Sequence, residues 1–133
     1  MNSVKLRYKE VVESAESRVA RLTAELLKAL AHPVRVRALE RLLQGESSVG
    51  ALSDALGIEI SHLSQQLAVL RHASIVETRR VGSTIFYSVR DPRMSHLLAT
   101  ARQMLASTLE DSRDVLVTIE DMGRLDAGTS SVR

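Results

Sequence analysis

The chain has 133 residues, which fits one domain, and its formal net charge of only +2 excludes a globally basic nucleic-acid binder. Hydrophobic residues make up 44% of the sequence but aromatic residues only 2%, so the core must be aliphatic, which favours packed helices. Cysteine is absent, which excludes disulfides, thiolate metal sites and thiol redox sensing and fits a reducing cytoplasm. No apolar run approaches the roughly 20 residues that a membrane span needs, so we expect a cytoplasmic protein without a membrane partner.

Helical patterns fill the first part of the chain. Apolar residues step by three and four through residues 4–21, where Val12 and Val19 share one stripe, and a second helical segment covers residues 22–31. A helix at the end of a chain needs a surface to cover its apolar stripe. That surface is either the rest of its own domain or a second copy of the chain.

A break in the helical pattern follows at His32 and Pro33. The residue before a proline disfavours the helical region, and proline itself favours the first helical position. We therefore predict a new helix over residues 34–43, which ends before Gly45. We interpret His32 as a capping or packing residue at this junction rather than a ligand.

Two short helices joined by a tight turn are predicted next. Their apolar residues recur at helical spacing, at Val49, Leu52, Leu56, Leu63, Leu67 and Leu70. Ser48 can cap the first helix, and Gly57 stands where a left-handed residue is expected to end it. Only residues 58–60 separate the two helices, which is the spacing of a helix-turn-helix.

The second of these helices has an unusual polar face. Its other positions carry short or medium polar side chains and one arginine, at Ser61, His62, Ser64, Gln65, Gln66 and Arg71. Such a face suits a helix that reads base edges in the major groove, and the alternative is an ordinary solvated face. The helix-turn-helix context directs Ser61, His62, Ser64 and Gln65 outward and favours DNA contact. For Arg71, a DNA contact and an internal ion pair are equal alternatives.

A β-hairpin is predicted directly after the helix-turn-helix. Residues 76–81 and 84–89 are rich in β-branched and aromatic residues, and a Gly-Ser pair separates them. The positions at and before its tip, where arginines commonly meet phosphate or the minor groove, are Arg79, Arg80, Ser83 and Thr84. The predicted fold class is therefore mainly α with a small β-hairpin, a winged helix-turn-helix.

The remaining part of the chain is again helical. Asp91 and Pro92 mark a helix start, after which apolar residues line one side of one long helix or two shorter ones. No later element is predicted to cover them. With the N-terminal stripe, they predict a two-fold dimer interface at Val12, Val19, Leu98, Leu105 and Leu109. Residues 123–133 are rich in glycine, serine and threonine, so we predict a disordered tail after one domain over residues 1–122.

Three stretches, residues 30–39, 49–56 and 64–76, resemble the ArsR/SmtB family of bacterial repressors when they are taken in this order. The resemblance implies a homodimeric winged-helix transcriptional regulator. Such a dimer binds a pseudo-palindromic operator in double-stranded DNA. It also implies release from the operator when an inducer binds, and that inducer is commonly a metal ion.

The chain departs from the family at both of its common metal sites. Where the family has Cys-x-Cys before the recognition helix, residues 47–51 contain no thiol. On the C-terminal helix only His96 is present, and Ala106 and Ser107 stand where a second histidine would be needed. Control by a small ligand, a partner protein or a non-standard metal site stays open, as does the absence of any effector.

A metal site without thiolates would need histidine and carboxylate ligands, which suit nickel or zinc. His96, Asp91 and Glu110 are the candidates, although acidic residues on an exposed helix are usually only solvated. No nucleophile–base pair or Gly-rich phosphate loop is recognisable, so we do not expect an enzyme. The alternative function is a winged-helix module for protein–protein interaction with weak or no DNA binding. The arginines of the hairpin and the polar helix face argue against it.

Overall fold

The computed structural model describes residues 14–109 and 112–130, with side chains described as far as residue 126. The described residues form six helices and three short strands. In chain order these are α1 (Ala15–Leu30), α2 (Pro33–Leu42), β1 (Ser47–Ser48), α3 (Val49–Leu56), α4 (Ile60–His72), β2 (Val76–Val81), β3 (Thr84–Val89), α5 (Met94–Thr108) and α6 (Arg113–Ser130). Within these ranges, no helix combines the length and apolarity that a membrane crossing needs.

The first described helix, α1, is continuous where the sequence predicted two segments. The Ser14 side chain caps it by accepting a hydrogen bond from the Ser17 N–H at 3.1 Å. No break occurs near residue 21, so that predicted division is wrong: nothing in the local sequence interrupts the backbone ladder before Leu30. Residues 4–13 of the predicted helix, including Val12, lie outside the described residues.

The junction between α1 and α2 follows the sequence prediction. Pro33 is the first residue of α2, and Nδ1 of His32 accepts a hydrogen bond from the Val34 N–H at 3.1 Å. The interpretation of His32 as a capping residue is confirmed.

The helix-turn-helix consists of α3 and α4. The Ser48 side chain accepts a hydrogen bond from the Ala51 N–H at 3.2 Å, and Gly57 ends α3 with a left-handed φ of 65°. Both caps agree with the sequence prediction. The helices pack on α2 around an aliphatic core whose fully buried members are Leu39, Leu52, Leu63, Leu67 and Leu70.

A three-stranded antiparallel sheet with the order β1-β3-β2 forms the wing. Val81 pairs with Thr84 around a two-residue turn, in which Gly82 has a φ of 62°. Strand β1, in which Ser47 pairs with Tyr87, was not predicted, because two residues are too few to show a period. Because β1 runs directly into α3, the wing is joined to the helix-turn-helix at this point.

The last two helices are separate, and α6 packs against α5. Helix α6 continues to Ser130, so the predicted disorder of residues 123–130 is wrong. The glycine, serine and threonine content of this stretch did not indicate a tertiary contact. In the structure the Asp126 carboxylate pairs with the Arg102 guanidinium of α5. Residues 131–133 lie outside the described residues, and the single domain over residues 1–122 stays a prediction.

Candidate DNA-binding surface

Helix α4 has one buried side and one exposed side. Leu63, Leu67 and Leu70 are fully buried in the core, which fixes the rotation of the helix about its axis. On the other side Ser61, His62 and Gln65 are exposed, and Ser64 is half-buried. The structure therefore brings the four residues predicted to contact DNA to the outer face at the start of α4.

A long-range contact anchors α4 to the rest of the domain. Nε of Arg35 in α2 donates to Oε1 of Gln66 at 2.8 Å, and its Nη1 donates to the Ala29 carbonyl in α1 at 3.1 Å. Gln66 is thus turned toward the domain and does not belong with the exposed polar face. Arg35 is a positioning residue that the sequence analysis missed, since residue spacing carries no signal for a partner 31 positions away.

The N-terminus of α4 is open toward the candidate DNA surface. Glu59 precedes the helix but makes no side-chain capping bond with the backbone. Its Oε1 instead accepts a hydrogen bond from the Ser61 hydroxyl at 2.8 Å. The first N–H groups of α4 therefore lack the acceptor that a capping residue would supply, and such groups bind phosphate readily. His62 lies beside His32, with ring centroids 6.1 Å apart.

The two arginines of the wing are in different environments. Arg79 is held by Glu46, with Nε donating to Oε2 at 2.7 Å and Nη2 to the other oxygen, and its guanidinium lies 5.1 Å from the Phe86 ring centroid. This hydrogen bonding lowers the pKa of Glu46 and raises the pKa of Arg79. Arg80 points into solvent, and its side chain has no hydrogen-bond or ion-pair partner among the described residues.

The other predicted DNA contacts are accessible. Ser83 and Thr84 are exposed at the tip of the wing, next to Gly82. Arg71, in the last turn of α4, is also exposed and forms no ion pair within the part of the chain that the structure describes. Of the two alternatives for Arg71, the internal ion pair therefore has no support.

The predicted metal ligands are not brought together in the described residues. The Asp91 carboxylate is paired with Arg93, whose Nη2 lies 2.7 Å from Oδ2, and this hydrogen bonding lowers the pKa of Asp91 to about 2. His96 is exposed on α5, and Glu110 lies outside the described residues. Within residues 14–109 and 112–130, no three histidine or acidic side chains lie close enough to hold a metal ion.

The residues predicted for a dimer interface divide into two groups. Val19 is 62% exposed and Leu105 is 47% exposed, whereas Leu98 is only 6% exposed and Leu109 is half-buried. The premise that Leu98 lacks cover within the chain is wrong, because it belongs to the core that α5 shares with the helix-turn-helix. Several further large apolar side chains are exposed on α1 and α5, at Leu22, Leu26, Leu27, Leu97 and Met104.

A helix-turn-helix joined to a paired hairpin, with a polar outer face on its second helix, defines a winged-helix DNA-binding protein. Residues 32–78 match the model of the arsR family of bacterial regulatory proteins. The HTH-type transcriptional regulator Rv0081 of Mycobacterium tuberculosis is 50% identical over 97 residues, which are 72% of this chain and 85% of that protein. The chain therefore belongs to the arsR family of bacterial transcriptional regulators, and the resemblance noted in the sequence is confirmed. Members of this family regulate transcription and are not enzymes.

Solved structures have the same architecture. The crystal structure of Rv0081 gives a TM-score of 0.63 at 48% identity, over 70% of this chain and 94% of that one. The transcriptional repressor BigR of Xylella fastidiosa gives 0.61 at 42% identity, over 67% and 91% of the two chains. The winged helix-turn-helix DNA-binding domain Mb0332 of Mycobacterium bovis, described as homodimeric, gives 0.65 at 27% identity, over 77% and 94%.

Proposed function

We propose that this regulator is a homodimeric repressor that binds a pseudo-palindromic operator through α4 and the wing. The observation that carries the proposal is the outer face of α4, where Ser61, His62 and Gln65 are exposed opposite three fully buried leucines. The descriptions of BigR as a repressor and of Mb0332 as homodimeric support it.

Gln65 is the proposed base-reading residue. Its side chain is exposed in the second turn of α4 and has no hydrogen-bond partner among the described residues. A glutamine amide can donate to and accept from an adenine edge at the same time, which gives sequence discrimination. Ser61 would have to exchange its bond to Glu59 for one to DNA. Arg71 and Arg80 are proposed phosphate contacts, because both guanidiniums are exposed.

The proposed dimer uses the apolar surface of α1 and α5. Leu22 and Leu26 on α1 and Leu105 on α5 are each at least 40% exposed, and exposed apolar side chains support a role in protein association. A two-fold axis through this surface would present two copies of α4. They would need to lie about 34–36 Å apart to enter successive major grooves on one side of the DNA. Each wing would then reach the flanking backbone or minor groove.

The proposal is tested by selecting bound duplexes from a random library and then measuring affinity against salt on the selected and scrambled sequences. Gln65→Ala should cost about 1–3 kcal/mol on the selected sequence and relax the preference at one base pair in each half-site. Gln103→Ala is the matched control, since Gln103 is an exposed glutamine on α5. Unchanged discrimination in Gln65→Ala would mean that another element reads the sequence.

Measuring DNA affinity against salt also distinguishes a DNA-binding repressor from a protein-interaction module. Phosphate contacts release counterions, so DNA affinity must fall steeply with salt. Weak binding without a salt dependence and without sequence preference would favour the protein-interaction module.

Control by a metal ion, through His96, Asp91 and Glu110, is a separate hypothesis with less support. Asp91 already has a cationic partner in Arg93, which a metal would have to displace. Nickel or zinc held by histidine and carboxylate should bind more weakly as pH falls through about 6.5, because the imidazole must be neutral. Zinc titrations of the wild type and of His96→Gln test this, and equal affinities would contradict it. An effector or co-regulator protein stays an open alternative.

A further inference from the structure

A cavity of about 1120 Å³ lies between α2, the end of α3, the first two thirds of α5 and the second half of α6. Its α5 wall includes Ser95 and Arg102, whereas the exposed apolar residues Leu97 and Met104 lie on the other side of that helix. The cavity has no lining residue in common with the surface proposed for dimerisation, which contains Leu22, Leu26 and Leu105. It is also separate from the outer face of α4, and its volume is sufficient for a small organic molecule.

The lining of the cavity combines aliphatic and cationic side chains. Leu43, Leu56, Met122 and Leu125 supply apolar surface. The charged residues of the lining are three arginines, at positions 37, 41 and 102, and two carboxylates, Glu40 and Asp126. His96 also lines the cavity, and the other charged side chains of the lining sum to one net positive charge.

The two carboxylates are both committed to the same arginine. Arg102, whose side chain is only 14% exposed, lies 3.5 Å from Glu40 and also pairs with Asp126. Burial raises the pKa of Glu40, and Arg102 opposes that shift. This group of three links α2, α5 and α6 and closes one side of the cavity.

Arg37 and Arg41 form no ion pair with a carboxylate among the described residues, although the charge of Arg37 also acts on Glu40. Nη2 of Arg37 donates to the Leu56 carbonyl at 3.0 Å, and Nη1 of Arg41 donates to Oε1 of Gln44 at 3.1 Å. Four positions apart on α2, the two guanidiniums lie on one side of the helix, next to the aliphatic part of the lining. Each retains N–H donors, since a guanidinium has five.

We propose that this cavity binds an amphipathic organic anion, a carboxylate on an aliphatic body. The carboxylate would accept hydrogen bonds from Arg41 and Arg37, and the aliphatic part would pack against Leu43, Leu56 and Leu125. Arginine suits this role because its planar donors match both oxygens of a carboxylate. An uncharged or cationic ligand of the same size would leave the positive charge unmatched.

The cavity is connected to the helix-turn-helix through Arg37. Arg37 donates to the last residue of α3, and Gly57 then leads directly into the turn before α4. A carboxylate that takes Nη2 of Arg37 removes a donor from the end of α3. Occupancy of the cavity should therefore change operator affinity, a consequence that rests on the proposed DNA-binding function.

The binding site is tested by calorimetry on the full chain with octanoate, octan-1-ol and octylammonium, which share one aliphatic length. Octanoate should bind at least about tenfold more tightly than the alcohol or the cation, the factor that one charge-assisted hydrogen bond supplies. Arg41→Gln should weaken octanoate binding about tenfold, and Arg41→Lys should weaken it less. Arg113→Gln, at an exposed arginine that does not line the cavity, should change nothing.

Leu125→Asp is a second variant, which keeps the binding site testable if Arg41→Gln does not fold. Leu125 is 67% exposed, so Leu125→Asp should fold and should weaken octanoate binding by placing a like charge at the aliphatic wall. Equal affinity for octanoate and octan-1-ol, unchanged affinity in Arg41→Gln, or no binding at millimolar octanoate would overturn the site. Octanoate binding that leaves operator affinity unchanged overturns only the regulatory consequence. If the ligand-free protein binds octanoate but shows no sequence-specific DNA binding, that result would instead contradict the proposed DNA-binding function.

Discussion

Large apolar side chains are buried in the helix-turn-helix but exposed on the flanking helix α1. Five leucines of α2, α3 and α4 are less than 2% exposed, at Leu39, Leu52, Leu63, Leu67 and Leu70. On α1 the large apolar side chains are 40% to 62% exposed, at Val19, Leu22, Leu26 and Leu27, and only Leu30 is buried. The five leucines of the first region are covered by other described residues, and the four exposed side chains of the second region are not.

This difference shows that leucine content alone does not distinguish a core from an interface. Both regions have leucines at helical spacing, and the neighbouring elements decide which stripe is covered. The helix-turn-helix has α2, α5 and the sheet packed around it. The exposed sides of α1 and α5 have no such neighbours among the described residues, which supports the proposed dimer.

Loss of a buried side chain in the first region should have the largest effect. Leu67→Ala should lower the free energy of unfolding by about 2–5 kcal/mol, because it removes packing interactions and leaves a cavity in a closed core. Urea denaturation followed by circular dichroism measures this. Leu125→Ala, at a leucine that is 67% exposed, should cost less than about 0.5 kcal/mol. Similar costs at the two positions would remove the distinction between the regions.

A charge in the second region should weaken association rather than folding. Leu105→Asp should weaken the dimer by about 0.7–1.5 kcal/mol for each copy from lost apolar burial alone, since only the 47% of the side chain that is exposed in one chain would be newly buried between two. Analytical ultracentrifugation at micromolar concentration measures the equilibrium. Leu98→Asp should instead unfold the chain, because Leu98 is in the core. A wild-type monomer at that concentration would contradict the proposed interface.

In the wing, two adjacent arginines differ in whether they are paired: Arg79 is held by Glu46, and Arg80 is not held by any described residue. Arg80→Ala should flatten the salt dependence of DNA affinity by about 1 for each phosphate that the variant no longer neutralises, so by about 2 for a dimer. Arg79→Ala should change the slope less, because its guanidinium is already held by Glu46. Affinities for operator and scrambled DNA at several salt concentrations provide the slopes. If Arg79→Ala flattens the slope as much as Arg80→Ala, Arg79 leaves Glu46 when DNA binds.

The smallest effect is expected at Asp91, where the wing leads into α5. Hydrogen bonding from Arg93 lowers the pKa of Asp91 to about 2, compared with an ordinary value of 3.8. A lowered pKa means that the ionised carboxylate stabilises the folded state above about pH 3.8, and this contribution is lost as pH falls toward 2. Asp91→Asn should remove this part of the acid sensitivity. Urea midpoints between pH 2 and pH 5 measure it, and identical pH profiles for the variant and the wild type would contradict it.

The sequence by itself determined the features that depend on residues close together in the chain. The Ser48 and His32 caps, the left-handed Gly57 and the two-residue turn at Gly82 follow from local dihedral preferences and hydrogen bonds over two or three positions. The stripe of Leu63, Leu67 and Leu70 follows from the helical period alone. These local rules were sufficient to predict the winged helix-turn-helix and the outer face of its second helix.

Only the tertiary structure decided which of the predicted DNA-contact and interface residues are exposed and which are paired or buried. Arg79 and Glu46 are 33 positions apart, and Arg102 and Asp126 are 24 apart, so neither pair could be inferred from spacing. Packing turned Gln66 toward Arg35 and buried Leu98, and α6 continued where the composition predicted disorder. The physical reason is that burial and ion pairing depend on elements that meet only after the chain has folded. A sequence pattern shows what a side chain is able to do, and the fold determines what it contacts.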